Sequence, residues 1–356
     1  MAWPDRRMLD LFGVELPIVQ APMANACGVD MAVAAAEAGG LGSFPCAGLT
    51  DDKVREGVAA IRSRTKRPIN LNFFCHAAPE QDVVHEAAWL ERLAPYYAEL
   101  GVELPKSPLK ATIYRFTEAT CGVVEELRPE VVSFHFGLPE PELVRRVKQA
   151  GCKVISSATT RREALRLAER GVDAIIAQGA EAGGHRGMFI ETEIATQIGT
   201  FALVQQIVEA VDVPVIAAGG ISDGNSIAAA FALGAAGVQI GTAYLCCPEA
   251  TTSALHRQAL AEPGRETVIT DVLSGRPARG LLNRFIEEQG PIDPAHPCYP
   301  FATPALAPLR KAAEAKGSGD FSWFWSGQGA VPPSGIGAGA LTRKLAQEAE
   351  AHLKPR

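Results

Sequence analysis

Short apolar runs alternate with amphipathic stretches along most of the chain, and this pattern predicts β-strands separated by helices. The clearest example lies in residues 213–244. Val213 to Ile216 carries β-branched residues and is too short for a helix, which predicts a buried strand. Ser222 and Asp223 supply N-cap oxygens for the helix that follows, and Gly237–Ile240 predicts the next buried strand. This segment therefore predicts two parallel strands joined by a helix.

The same period recurs through the first 250 residues. Six more strands are predicted at Leu16–Gln20, Leu41–Phe44, Pro68–Phe74, Val131–Gly137, Lys153–Ser156 and Asp173–Gln178. Serial βα units predict a parallel sheet, and eight of them predict closure into a (β/α)8 TIM barrel of the α/β class. An open doubly wound sheet is the alternative. Its dinucleotide-binding form is disfavoured because no G-x-G-x-x-G motif opens the first unit.

Two regions depart from this period. Residues 79–108 predict an insertion after the third strand, placed over one side of the barrel mouth and containing a helix from about Gln81 to Leu100. After residue 250 the chain contains, in order, a short extended piece at Thr267–Thr270, a loop at Ser274–Gly280, a proline-rich stretch, an aromatic stretch at Phe321–Gln328 and a helix at Leu341–Leu353. We therefore expect a barrel in residues 1–250 and an extension in residues 251–356 that packs on the same domain.

Composition narrows the class of protein. The chain has 356 residues, of which 47% are hydrophobic, and a net charge of -6, which suits one large α/β barrel with additions. No basic block is present, so a nucleic-acid partner is not expected. The eight cysteines form no CxxC pair, which argues against a metal site. The N-terminus lacks the apolar core of a signal peptide, and no apolar run is long enough for a bilayer, so we expect a cytoplasmic protein without a membrane partner.

Glycines follow two neighbouring strands of the predicted sheet. Ala218, Gly219 and Gly220 end one strand, and Gly241 and Thr242 end the next. Glycine lets the backbone approach a ligand, and N–H groups left unpaired there bind anions. In a (β/α)8 barrel the loops after the last two strands commonly bind phosphate. The alternative is that these glycines only turn the chain.

A histidine between glycines follows the sixth strand, in the sequence QGAEAGGHRG from Gln178 to Gly187. Because βα loops carry the chemistry of a barrel, His185 is a candidate base, with an unperturbed pKa near ~6.5. A surface loop histidine is the alternative. His135 and His76 also lie just after strands, but no spacing fixes the three as a metal site.

Two asparagines interrupt the third strand. Asn70 and Asn72 share one face of it because side chains alternate, and asparagine is disfavoured in strands. They are predicted either to bind a ligand in the barrel mouth or to bond loop backbone.

Five motifs occur in register along about residues 14–250: QAPM at Gln20–Met23, INLNFF at Ile69–Phe74, AQGAEAGGHRG at Ala177–Gly187, PVIAAGGI at Pro214–Ile221 and QIGTAY at Gln239–Tyr244. With them the chain resembles the nitronate monooxygenase family, formerly called 2-nitropropane dioxygenases, which are flavin-dependent (β/α)8 enzymes. SGRPARG and WSGQ in the tail are similar to the longer branch of that family. Related flavin-dependent enoyl reductases carry similar glycine loops.

The resemblance implies an FMN cofactor. It implies these cofactor-binding residues: Gly219, Gly220, Gly241 and Thr242 at the phosphate; Ala21, Pro22 and Met23 against the ring; Asn70, Asn72 and Gln178 at its polar edge; and Gly183, Gly184, Ala218 and Gln239 around it. Phe73, Phe74 and Tyr299 are candidates for an apolar substrate pocket, with ordinary core packing as the alternative for the phenylalanines.

The resemblance further implies oxidation of alkyl nitronates by molecular oxygen to a carbonyl compound and nitrite, with His185 as the catalytic residue. Propionate 3-nitronate and neutral nitroalkanes are included as possible substrates. The best-known branch carries a histidine near the end of the fifth strand, where this chain has Ser156-Ser157-Ala158-Thr159. The base of that branch is therefore missing, which weakens the case for nitroalkanes more than for nitronates.

Two rival functions belong to other classes. One is an NAD(P)H-dependent flavin reductase acting on an enoyl thioester or a quinone. The other is a barrel without catalysis that binds a phosphorylated ligand or a partner through its aromatic tail.

Overall fold

The computed structural model describes residues 3–331 and 335–353. Its strands are β1 (Ile18–Gln20), β2 (Gly42–Pro45), β3 (Ile69–Phe74), β4 (Val131–His135), β5 (Lys153–Ala158), β6 (Ala174–Gln178), β7 (Gly184–His185), β8 (Val215–Ala218), β9 (Gly237–Ile240), β10 (Thr267–Thr270) and β11 (Ala278–Leu281). Its helices are α1 (Arg7–Phe12), α2 (Val29–Glu37), α3 (Asp51–Arg62), α4 (Val83–Leu100), α5 (Glu118–Leu127), α6 (Pro141–Gln149), α7 (Arg161–Glu169), α8 (Thr200–Val208), α9 (Gly224–Ala232), α10 (Ala254–Ala261), α11 (Arg284–Gln289), α12 (Ala302–Ala315) and α13 (Ala338–Leu353).

Eight parallel strands form the central sheet, in the order β1-β9-β8-β6-β5-β4-β3-β2. A parallel bridge between Val19 and Leu41 joins β1 to the start of β2, so the sheet closes on itself. Helices follow the strands and cover the outside. The predicted (β/α)8 barrel is confirmed, and all eight predicted strands lie in it.

Side-chain caps begin several of the outer helices. Thr50, Thr117 and Thr160 accept hydrogen bonds from the backbone N–H three residues later, at the starts of α3, α5 and α7. Asp223 caps α9 in the same way and forms a capping box with Ser226. Of the two capping residues expected from the sequence, Asp223 is therefore the one that begins the helix.

The insertion and the extension pack on each other. Trp89 and Leu93 of α4 share a buried apolar cluster with Phe285 of α11, Leu309 of α12 and Phe321. Tyr97 of α4 also donates its hydroxyl to the backbone oxygen of Ala305 at 2.5 Å. The insertion therefore belongs to a second core built with the residues after β9.

One segment differs from the sequence expectation. Ser274–Gly280 was expected to be a loop, but Ala278–Leu281 forms β11, which pairs antiparallel with both β10 and β7. Glycine and arginine do not favour a strand, so the conformation is imposed by these partners. This small sheet places His185, on β7, beside Ala278.

The last described helix packs on the barrel itself. Leu341, Leu345 and Ala349 of α13 are buried, and α13 contacts both α9 and α2. The predicted helix at Leu341–Leu353 is confirmed and begins three residues earlier. The division at residue 250 stays a proposal. Among the described residues, no helix combines the length and apolar character needed to cross a membrane.

Candidate active site

The carboxyl ends of β8 and β9 form a cradle of backbone N–H groups. Gly219 and Gly220 have φ angles of 117° and 70°, in the region that favours glycine. Within residues 3–331 and 335–353, the amides of Gly219, Gly220, Gly241 and Thr242 donate to no protein oxygen. A Cβ atom on Gly219 would lie 2.8 Å from Oγ1 of Thr200, so no larger residue fits without rearrangement. The cradle has the chemistry of a phosphate site.

A tail segment, Ser326–Gly329, closes this cradle. The amide of Gly327 donates to Oγ1 of Thr242 at 2.8 Å. Arg265 fastens the segment, because its guanidinium donates to Oγ of Ser326 at 3.0 Å and to the backbone oxygen of Gly329 at 2.6 Å. In the sequence, WSGQ indicated only a similarity to the longer branch of the family that the chain resembles. Its position beside the glycines could not be read from local pattern.

Two buried amide oxygens on the barrel strands β3 and β9 have no partner. Oδ1 of Asn70 and Oε1 of Gln239 accept no hydrogen bond within the described part of the chain. Nδ2 of Asn70 donates to Oγ of Ser43 at 3.0 Å, which fixes the orientation of that amide. An unpaired buried acceptor is costly, so both oxygens suit a donor on a bound ligand.

Other residues predicted near the cofactor lie close to these groups. A Cβ atom on Gly241 would lie 3.5 Å from Cβ of Ala21 and 3.6 Å from Sδ of Met23, so the loop Ala21–Met23 adjoins the cradle. Asn72, like Asn70, donates its Nδ2 to a serine on a neighbouring strand, here Oγ of Ser133 at 2.9 Å. Asn72 thus ties β3 to β4.

His185 has one defined tautomer. Its Nε2 lies 3.0 Å from Oγ of Ser274, and that hydroxyl donates its single proton to the backbone oxygen of Arg276 at 3.1 Å. When the hydroxyl donates in this way, Nε2 of His185 carries the ring proton and donates it to Ser274. Nδ1 is left with its lone pair and makes no hydrogen bond within the described residues. The ring can accept a proton or a hydrogen bond through this atom.

The backbone at His185 is held by its neighbours. Its carbonyl oxygen accepts hydrogen bonds from Nε2 of His135 and Nε2 of Gln178, each at 3.0 Å. Oε1 of Gln178 in turn accepts from the amide of Gly187 at 2.7 Å. Both ends of the Gln178 amide are therefore engaged with the loop, and His135, the second candidate base, acts here as a positioning residue.

A fully buried arginine anchors the same loop. The Arg186 guanidinium donates to the backbone oxygens of Gly179 and Gln178, at 2.8 and 2.7 Å, and to Oε1 of Gln197 at 2.9 Å. Sequence reasoning missed this role. The only signal was an arginine set between a histidine and a glycine, and it does not distinguish a buried anchor from an exposed side chain.

Burial keeps the histidines neutral. Desolvation, with smaller contributions from His135 and the Arg276 charge, lowers the pKa of His185 to about 3. Desolvation likewise lowers the pKa of His135 to about 4, and it lowers the pKa of His76. At neutral pH His185 is therefore uncharged. This burial disfavours a protonated His185 that would balance the charge of an anion.

Aromatic side chains surround the His185 ring. The ring centroids of Tyr299 and Trp325 each lie 5.4 Å from it, and those of Phe136 and Phe74 lie 6.0 and 6.5 Å away. We call these four residues the aromatic cluster. Tyr299 and Trp325 come from the extension, so the site is completed by residues far along the chain.

Phe73 does not belong to this cluster. Its ring packs on Phe116 at 5.1 Å, and Phe116 packs on Phe134, in the layer between sheet and helices. The reason is strand alternation, which turns Phe73 outward and Phe74 toward His185. Of the predicted pocket residues, Tyr299 and Phe74 therefore contact His185 and Phe73 does not.

The fifth strand carries no histidine at the position expected from the best-known branch. Ser156 is fully buried and donates its hydroxyl to the backbone oxygen of Gly137 at 2.9 Å. Oγ of Ser157 lies 3.2 Å from Nδ1 of His135. These hydroxyls support neighbouring loops, and no base replaces the missing one on β5.

A family model described as nitronate monooxygenase matches residues 5–348. The chain belongs to the nitronate monooxygenase family. A nitronate monooxygenase from Pseudomonas aeruginosa is 42% identical over 96% of this chain and 98% of the relative. One from Paraburkholderia phytofirmans is 40% identical over 96% of this chain and 94% of the relative.

Solved structures agree with this membership. A nitroalkane oxidase from Streptomyces ansochromogenes superposes with a TM-score of 0.87 at 38% identity, covering 97% of this chain and 98% of that one. FabK from Thermotoga maritima superposes with a TM-score of 0.73 at 27% identity, covering 99% of this chain and 98% of that one. The family membership therefore extends over the tail as well as the barrel, and this chain is an enzyme of the nitronate monooxygenase family.

Proposed function

We propose that this protein oxidises alkyl nitronates with FMN and molecular oxygen, giving a carbonyl compound and nitrite. The observation that carries the proposal is the neutral His185, whose unprotonated Nδ1 is held within the aromatic cluster at the mouth of the barrel. Membership of the nitronate monooxygenase family supports oxidation of nitronates or nitroalkanes in general. The cofactor, the oxidant and the products are the finer part of the proposal.

The residues present fit a flavin mononucleotide. The amides of Gly219, Gly220, Gly241 and Thr242 would hold its phosphate, and the tail segment would cover it. Oδ1 of Asn70 and Oε1 of Gln239 are buried acceptors suited to an N–H group of the ring. When bound, FMN supplies the electron acceptor and the reaction with oxygen, while the protein supplies position and electrostatics.

His185 favours a substrate that is already ionised. A neutral nitroalkane must lose its α-proton to a base, and Nδ1 of His185 would receive it. However, a histidine whose pKa is lowered to about 3 is a weak base. A nitronate needs no such transfer, because its carbon is already deprotonated. The site is therefore better suited to nitronates, and the aromatic cluster would exclude water from the reacting carbon.

The proposal is tested on the purified protein. We expect it to contain FMN, to have that flavin reduced by ethyl nitronate without oxygen, and to release nitrite when oxygen is present. His185→Ala should lower the oxidation of nitroethane by ~10²-fold, the lower end of the usual contribution of a base, and that of ethyl nitronate by much less. His352→Ala, which removes an exposed histidine of α13, is the matched control and should leave both rates unchanged.

Two results would contradict the proposal. If the folded protein binds no FMN, the proposed cofactor is wrong. If NADH reduces the flavin and nitronate does not, the rival function as a flavin reductase is favoured. Equal losses for nitroethane and ethyl nitronate in His185→Ala would show that His185 does not act as the base.

A further inference from the structure

A cavity of about 420 Å³ opens beside the aromatic cluster. Its inner wall includes Cys75, His76, Phe136, Met188 and Arg276. Phe136 is shared with the His185 site, since its ring lies 6.0 Å from that of His185. It is also held with a φ of 67°, a conformation that bulky residues rarely adopt and that often marks a functional site. The cavity is large enough for a small organic substrate.

Arg276 presents an unpaired positive charge to this cavity. Its guanidinium lies over the Phe136 ring, with Cζ 3.9 Å from the centroid, and donates to the backbone oxygen of Met188. Within residues 3–331 and 335–353, no carboxylate lies within salt-bridge distance of it and its remaining N–H groups have no protein acceptor. Burial lowers the pKa of Arg276 only to about 10, so the charge persists at neutral pH.

The surrounding groups do not neutralise this charge. Glu163 is buried nearby and its charge favours the cationic form of Arg276, but its carboxylate oxygens accept hydrogen bonds from the amides of Thr159, Phe189 and Ile190 and form no ion pair with Arg276. At the outer wall of the cavity, Glu191 forms an ion pair with Arg162 at 3.0 Å. His76, His135 and His185 are neutral for the reasons given above. The charged residues that line the cavity are three arginines, Arg166, Arg170 and Arg276, and one carboxylate, Glu191, so its lining is net positive and an anionic ligand would complete it.

We propose that Arg276 binds the negative end of the substrate and thereby selects anionic nitronates over neutral nitroalkanes. The guanidinium fork matches two oxygens in one plane, the geometry shared by a nitronate O–N–O group and a carboxylate. Arg276 and His185 pack on the same Phe136 ring, and the backbone of Arg276 bonds the hydroxyl that orients His185. This inference rests on the proposed function for the identity of the substrate, but the anion site itself does not.

Nitrate is the probe for the anion site, because it is planar, carries one negative charge and is not oxidised. We would measure its binding to the FMN-loaded protein by calorimetry, with chloride at equal ionic strength as the reference. Arg276→Gln should weaken nitrate binding by about 10- to 100-fold, the loss expected for a charge-assisted pair. Arg276→Lys keeps the charge without the fork and should lose less. Arg145→Gln removes an exposed arginine of α6 and should change nothing.

Steady-state kinetics give the second measurement. Arg276→Gln should raise the KM for ethyl nitronate by a similar factor and raise the KM for neutral nitroethane by much less. Circular dichroism and flavin content establish that each variant is folded. If Arg276→Gln does not fold, Arg276→Lys is used in its place. Equal nitrate binding by wild type and Arg276→Gln, or none by either, overturns the inference. Nitrate binding that needs Arg276 in a protein that releases no nitrite retains the anion site and rejects the proposed function.

Discussion

The glycine cradle and the aromatic cluster lie at the same mouth of the barrel but are built differently. The cradle is made of backbone from one strand–helix–strand unit, β8 to β9, with Gly219 and Gly241 at its two strand ends. The aromatic cluster is made of side chains from β3, β4 and two separate parts of the extension. A backbone site depends on local conformation, whereas a side-chain site depends on the packing of distant segments. The two should therefore fail under different substitutions.

The largest effect is expected from breaking the cradle alone. Gly219→Ala places a Cβ atom 2.8 Å from Oγ1 of Thr200 and 2.9 Å from the amide of Ala182, on a residue whose φ is 117°. We expect FMN affinity to fall by about 100-fold, since clash and backbone strain together cost about 3 kcal/mol. The dissociation constant is measured by fluorescence of released FMN. Gly122→Ala, where an added Cβ meets nothing within 4 Å on α5, is the control. Unchanged affinity in Gly219→Ala would place the phosphate elsewhere.

Loosening the tail segment tests whether the two sites are independent. Trp325 contacts His185, while two residues later Gly327 bonds Thr242 of the cradle. Arg265→Met removes the hydrogen bonds that hold Ser326 and Gly329, so we expect FMN affinity to fall by about tenfold, the effect of losing one to two net hydrogen bonds. Nitronate turnover should also fall at saturating FMN. A loss confined to FMN affinity would mean that the tail serves the cradle only.

Removing the hydrogen bond that orients His185 tests the site around the aromatic cluster without changing the cradle. Ser274→Ala removes the hydroxyl that accepts from Nε2, so the ring no longer has one preferred tautomer. We expect kcat to fall by about fivefold, the equivalent of one hydrogen bond of about 1 kcal/mol, with FMN affinity unchanged. A parallel loss of FMN would contradict the separation of the two sites. Ser318→Ala, in the tail beyond α12, is the control.

The smallest expected effect is a pH dependence of the free energy of unfolding. It should come from His135 and His185 and not from the glycine cradle. The pKa values of His135 and His185 in the folded protein, about 4 and about 3, lie below the ~6.5 of an unfolded chain. Between these values the unfolded state binds protons that the folded state does not, so stability is lost as pH falls. We expect each histidine to lower the free energy of unfolding by about 0.8 kcal/mol at pH 6 relative to pH 8.

Urea unfolding at fixed FMN concentration measures this slope, because bound ligand itself shifts stability. His185→Asn should remove its share of the pH dependence, and His352→Ala on the exposed face of α13 should not. If His185→Asn kept the full pH dependence of the wild type, His185 would not be buried in the neutral form.

The fold was predictable because its signal is local. The sequence pattern that predicts a barrel strand and its helix lies within about 30 residues. Asp223, Gly219 and Gly241 lie where this pattern predicts them. β11 was not predicted, since Arg279 and Gly280 become a strand only by pairing with β7 and β10. Local propensity cannot report a partner that the chain supplies from far away.

The same limit applied to the site. The neighbouring glycines indicated His185 as a candidate, but its hydrogen-bond partner Ser274 lies 89 residues further along the sequence. The sequence also treated Phe73 and Phe74 as a pair, although the alternation that places Asn70 and Asn72 on one face of β3 places Phe74 with them and Phe73 on the other face. Arg186 and Arg276 gave no distinguishing signal, because an arginine in a loop is usually exposed and only the fold shows what it meets.

The position of α13 constrains how the protein is made. This helix covers α9 and α2, yet about 100 residues separate its start from the end of β9. At ribosomal rates of about 5–20 residues per second, the apolar faces of α2 and α9 remain open for about 5–20 s after the eighth barrel strand has been synthesised. A nascent chain in that interval is a substrate for chaperones and proteases. Docking of α13 therefore ends the interval in which chaperones and proteases can bind these exposed faces.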